Sequence, residues 1–209
     1  MLFSRQIEKD KAQLGIWKMD ETIEELQSGL SGETLSDSLP AGIVNSTRKL
    51  EFLSVRRLIK ELCHEEKQIA YTGTGRPYIT DNSYNISISH TKGFVAVLLH
   101  PVKEVGVDIE QRGERASRLK ERFMHPDEIA SLQPGEEALL ATIYWSAKES
   151  LFKVMGVEGV DFIGHLHIRP FQLAEAGTFT ADETRTDLHQ KFIIQYQVFP
   201  HFVLTWCSR

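Results

Sequence analysis

The run Gly106-Val107-Asp108-Ile109-Glu110 puts two carboxylates two residues apart in a segment that reads as a β-strand. Alternate residues of a strand share a face, so Asp108 and Glu110 are expected side by side, with Val107 and Ile109 toward the core. Neighbouring carboxylates repel unless a cation or a shared proton lies between them. Hard oxygen donors suit Mg²⁺, which takes a few protein carboxylates together with water and substrate phosphates. The same pattern also suits an edge strand whose acids are simply solvated. A second group is Trp145-Ser146-Ala147-Lys148-Glu149-Ser150-Leu151-Phe152-Lys153. On a helix Glu149 and Lys153 are neighbours at i and i+4, and Trp145 stands one turn earlier on the same side. A surface ion pair has that spacing. A metal-bound pyrophosphate site has it too, with Glu149 for the ion and Lys148 and Lys153 for phosphate oxygens. Thirdly, Asn85 to Thr91 ends a strand at Ser89 and His90, which with the turn amides at Lys92-Gly93 could cup an anion or merely finish the strand.

Other candidates carry less. Gly73-Thr74-Gly75-Arg76 lacks both the Gly-Lys-Ser/Thr ending and the following helix of a phosphate-cradling loop. His165 and His167 could share a metal, but with no third His or Cys at ligand spacing they are expected to be solvated strand residues. Cys63 and Cys207 read as packed thiols, since a chain with no export signal gives a disulfide no support.

The elements that must position these groups fall into a simple order. Ala12–Met19 reads as a strand and Glu21–Leu30 as a short helix. The stretch Ser28–Ser38 with Pro40-Ala41-Gly42 reads as loop. Asn45-Ser46-Thr47 offers caps to a helix over Arg48–Cys63, whose Leu50, Leu53, Leu58 and Leu62 approximate one face. Short strands follow at Gln68–Tyr71, Tyr84–Ser89, Phe94–His100 and Glu104–Glu110, with Gly73–Pro77 as a turn and Pro101-Val102-Lys103 as a hairpin connection. Gln111–Arg122 is a solvated helix or loop. Pro126 opens a short helix, and Glu136–Met155, stopped by Gly156, is the strongest helix. Strands return at Phe162–Ile168, Lys191–Phe199 and Phe202–Cys207. Helices then strands, twice over, predict an α+β chain of two similarly built halves meeting near Lys103.

Composition narrows the partners. With 29 acidic residues against 24 Lys plus Arg, the net charge of -5 argues against a general nucleic-acid binder. The longest apolar runs, such as Phe94–Leu99, fall far short of the roughly 20 residues a membrane span needs. Arg5, Glu8, Lys9 and Asp10 interrupt the first segment where a secretory signal requires unbroken apolar residues, so a cytoplasmic protein is expected.

Taken together, Arg76-Pro77-Tyr78, Ile88-Ser89-His90-Thr91, Gly106-Val107-Asp108-Ile109-Glu110, Arg122-Phe123 with Glu128, and Trp145-Ser146-x-Lys148-Glu149-Ser150-x-x-Lys153 resemble the 4′-phosphopantetheinyl transferases. Order and spacing are similar to the long, surfactin-synthetase-activating type, a monomer of two pseudo-symmetric α+β halves, each a small antiparallel sheet packed with helices. The resemblance implies a transfer of 4′-phosphopantetheine from coenzyme A to a serine of an apo acyl or peptidyl carrier protein, releasing adenosine 3′,5′-bisphosphate. It implies Mg²⁺, or Mn²⁺ in its place, on Asp108, Glu110 and Glu149, with Lys153 on the pyrophosphate. Residues 104–209 would then be the metal-binding and catalytic half, and residues 1–103 the side of the 3′-phosphate and adenine. There Ser89 and His90 would meet phosphate, Arg48 the 3′-phosphate, and Arg76 would stand where the family commonly has lysine beside the adenine. Glu128 matches a further acidic position near the metal or the acceptor hydroxyl. Either Glu149 or a metal-bound water would take the serine proton.

Two departures matter. Ser31–Ser46 holds no basic residue where long members often carry extra Lys or Arg, so the grip on the 3′-phosphate is expected to be weaker or supplied by Arg56 or Arg57, each otherwise a routine helix-surface charge. Nothing after Gly156 matches a motif. The rival readings are a Mg²⁺-dependent phosphohydrolase or nucleotidyl transferase acting on a small nucleotide, and a non-catalytic module that binds coenzyme A or a carrier protein.

Overall fold

A computed structural model describes residues 1–8, 10–32, 34 and 45–209. Of the loop expected over Ser28–Ser38, residues 33 and 35–38 lie outside the described residues, as does all of Pro40-Ala41-Gly42. The chain divides into two units, Met1–Lys103 and Glu104–Arg209. Both combine helices with antiparallel sheet, the expected α+β class.

The first unit holds strands β1 (Leu2–Ile7), β2 (Gln13–Lys18), β3 (Ile69–Tyr71), β4 (Pro77–Ile79), β5 (Asn85–Thr91) and β6 (Phe94–His100). Among the described residues its longer helices are α1 (Ile23–Ser28) and α2 (Ser46–Cys63). The main sheet runs β1-β2-β6-β5, and β3-β4 form a separate ribbon. Asn45 starts α2 by accepting from Thr47 N at 2.9 Å, satisfying a donor that a helix start leaves open. The helix then buries Leu53, Leu58, Ile59 and Leu62 against Trp17, Val95, Val97 and Leu99 of the sheet. Strand β1 was not expected, because its side chains are mostly exposed and leave no apolar alternation to read.

The second unit holds β7 (Val105–Gln111), β8 (Leu166–Ile168), β9 (Ala176–Glu183), β10 (Lys191–Val198) and β11 (Phe202–Ser208), in the order β7-β11-β10-β9-β8. Its helices are α3 (Arg115–Leu119), α4 (Pro126–Ala130) and α5 (Glu137–Met155). Gly156 ends α5 at φ 62°, a left-handed position that glycine adopts without steric cost. Along the core, Ile143, Ala147, Leu151 and Val154 of α5 meet Phe179, Phe192 and Ile194 of the sheet. Strand β9 escapes sequence reading because its core side contributes only Phe179 and Ala181 among polar and small residues.

Two expectations are corrected. Pro101-Val102-Lys103 is not a hairpin connection, because β6 pairs with β2 and β5 while β7 pairs with β11. The segment is tied to the first unit instead: His100 Nδ1 accepts from Val102 N and Lys103 N at 3.0 and 2.8 Å, and Asn85 donates to both carbonyls at 2.9 Å. The strand expected over Phe162–Ile168 is only Leu166–Ile168. Upstream, the Asp161 carboxylate accepts from Ile163 N and Gly164 N, which closes a turn where strand pairing would need those donors. Both cysteines are free thiols, and burial pushes the Cys63 thiol up to about 11.

Candidate active site

The site of the second unit is made by laying α5 across β7. Gly106 permits it, because a Cβ at that position would sit 2.0 Å from the Ser150 carbonyl oxygen. Ser146 and Ser150, themselves small, meet Thr205 of the neighbouring strand β11 through hydroxyl contacts of 2.9 and 2.8 Å. With the helix this close, Gly106, Asp108 and Glu110 face it at alternate strand positions, and Trp145, Glu149 and Lys153 face them at successive helical turns.

The contacts follow that register. Lys153 Nζ donates to Asp108 Oδ1 at 2.8 Å and to the Val107 carbonyl at 2.9 Å. Trp145 Nε1 donates to Glu110 Oε1 at 2.8 Å. Glu149 lies between these pairs. Burial, then the charge of Asp108, pushes its carboxyl up to about 7, with Glu110 adding and Lys153 opposing. Burial and Asp108 raise Glu110 as well, against the indole hydrogen bond. Glu110 and Glu149, both raised by burial and by the charge of Asp108, form with Asp108 and Lys153 a donor set suited to a hard divalent cation. The residues present therefore fit Mg²⁺.

Lys148 does not join them. It is fully buried, and its ammonium donates to Glu128 Oε2 at 2.7 Å and to the carbonyls of Phe123 and Phe162 at 2.8 Å each. An ammonium has three protons, so none is left for a phosphate. The expectation that Lys148 holds pyrophosphate is corrected accordingly, the reason being helical geometry: residues 148 and 149 are about 100° apart around α5 and cannot both face β7. Glu128 is corrected with it. Both its oxygens are engaged by Lys148, His125 N and Ile168 N, so its carboxylate ties the unit together rather than serving metal or acceptor.

In the first unit the expected residues are spread. Arg48 is exposed on the first turn of α2, and Arg76 is half-buried at the end of the turn between β3 and β4. Ser89 and His90 are consecutive in β5, so their side chains point to opposite faces: Ser89 is buried and His90 exposed. They cannot form one cup with their side chains. His90 Nε2 lies 3.5 Å from Glu51 Oε2, one turn along α2 from Arg48. Arg56 is buried with its guanidinium 3.2 Å from the centre of the Phe52 ring, and burial lowers it to about 10. Arg57 packs against Gly29 and lies over Trp17. Neither supplies the missing surface charge before Arg48.

What the sequence concealed is the support. Trp145 is legible as a neighbour of Glu149 but not as a donor to Glu110, and the Glu128–Lys148 clamp joins residues with no periodic relation.

Residues 104–207 match the 4′-phosphopantetheinyl transferase superfamily. Through this unit the chain belongs to that superfamily, whose activity is, in general, transfer of phosphopantetheine with coenzyme A and a divalent metal. No curated protein matches the chain. Among the described residues, no helix is long and apolar enough to cross a membrane.

Proposed function

We propose that this chain transfers 4′-phosphopantetheine from coenzyme A to the serine hydroxyl of an apo acyl or peptidyl carrier protein, as a monomer of the long, surfactin-synthetase-activating type. The observation that carries the reading is the convergence of Asp108, Glu110 and Glu149 on one another beside Lys153.

In this reading the serine oxygen forms a bond to the β-phosphorus of coenzyme A. The bond from that phosphorus to the bridging oxygen breaks, and adenosine 3′,5′-bisphosphate leaves with the electron pair. Asp108, Glu110 and Glu149 would hold the divalent ion, which would supply positive charge against the pyrophosphate. Lys153, fixed by Asp108 and the Val107 carbonyl, keeps a third N–H for a phosphate oxygen on which charge grows. Either Glu149 or a metal-bound water takes the serine proton. Arg48, His90, Ser89 and Arg76 are assigned to the 3′-phosphate and adenine end.

Incubation with coenzyme A, Mg²⁺ and a panel of apo carrier proteins, followed by intact-mass measurement, tests this. A carrier heavier by one phosphopantetheine is expected. No adduct on any carrier, or cleavage of coenzyme A that needs no carrier, overturns it, and the second result makes the chain a hydrolase.

A further inference from the structure

We propose that His125, Asp127 and His167 form a second cation site, chemically unlike the carboxylate cleft, for a borderline divalent ion of the zinc class. One ligand atom of each of the three residues lies within 4.8 Å of the others. The His125 and His167 rings, one before α4 and one in β8, have centres 5.2 Å apart. A tetrahedral zinc-class ion needs donors about 3.3 Å from one another, given bonds of about 2.0–2.1 Å. Binding would draw the three donors together by about 1.5 Å.

The backbone is already set. The buried Glu128 carboxylate accepts from His125 N and from Ile168 N, each at 2.7 Å, so one side chain fixes the main chain beside both histidines. Lys148 holds that carboxylate in turn. His125 Nδ1 now accepts a 3.2 Å bond from Asp127 N. Ligation through Nε2 moves the ring proton to Nδ1, which faces Asp127 Oδ2 at 3.4 Å. Ligation through Nδ1 releases only the long cap bond. Three ligands leave a fourth position to solvent, and the ion would staple the start of α4 to β8. His165 is not in this cluster, and its Nδ1 accepts from Asp161 N at 2.9 Å.

Imidazole donors favour the zinc class, whereas Mg²⁺ prefers oxygen, so excess Mg²⁺ should leave this site open. The test uses the full chain without a histidine tag, stripped of metal and held in excess Mg²⁺, with Co²⁺ as the probe. One saturable Co²⁺ with visible ligand-field bands is expected, displaced by Zn²⁺. His167→Ala and His125→Asn, the latter keeping a cap acceptor, should each weaken binding by roughly a hundredfold, since even supporting residues of metal sites are worth about 10–100-fold. Asp108→Ala should bind Co²⁺ as the parent does. If His125→Asn fails to fold, His167→Gln, which leaves the cap untouched, decides. The proposal is overturned by the absence of saturable binding, by parent-like affinity in the His167 variants, or by loss of the Co²⁺ site in Asp108→Ala. None of these results depends on the transferase reading.

Discussion

Two lysines of α5 have opposite duties. Lys153 is part-exposed and engaged with Asp108, so it can meet charge on a phosphate, and Lys153→Ala should lower kcat by roughly a hundredfold. A change confined to KM would show that it binds only the ground state. Lys148 is sealed in with Glu128, where removing one partner strands the other charge without water. Lys148→Met should therefore cost about 3–5 kcal/mol of stability, read by urea unfolding. Unchanged stability with a raised KM for coenzyme A would return Lys148 to the phosphate. Sequence alone does not separate these lysines, because both flank Glu149; their angle around the helix does.

At the scale of elements, the site depends on how closely α5 approaches β7. Gly106→Ala inserts a methyl group into the Ser150 carbonyl, so strand and helix must separate. Overpacking of this kind costs about 1–3 kcal/mol or more. The separation should also loosen the contacts of Lys153 and Trp145 with β7, so activity should fall further than stability does. A variant as stable and active as the parent would show that the helix has room to shift. The glycine is easy to find in the sequence but its reason is not, since the atom it avoids belongs to a residue 44 positions away.

For the whole molecule, the proposal requires both units. Arg48→Ala and His90→Ala, in the first unit, should raise KM for coenzyme A far more than KM for its 3′-dephospho analogue. Equal effects on both substrates would remove these residues from the 3′-phosphate. Coenzyme A with Mg²⁺ should raise Tm, because ligands that bind only the folded state stabilise it by mass action, and a chelator should abolish the rise. A shift that survives the chelator would detach the coenzyme from the metal. Activity per mole should not change on dilution if the chain acts alone, and a fall would mean that the site needs a second copy.

The α+β class, α2 and α5 with their caps, and the carboxylates of Gly106–Glu110 could be read from the chain because each rests on local periodicity and end chemistry. The superfamily was legible for a related reason: a site that gathers like charges needs particular residue types at fixed spacings, and those spacings survive in one dimension. Tertiary structure decided the rest. It turned Lys148 and Glu128 from substrate groups into a buried clamp, and it withdrew Arg56 onto Phe52. It separated β6 from β7 into different sheets. It also set the His167 ring 5.2 Å from that of His125, a residue 42 positions away. For Lys148, Glu128 and Arg56 the deciding quantity was which buried partner met a polar or charged group, and burial is set by packing between elements that spacing along a chain does not encode.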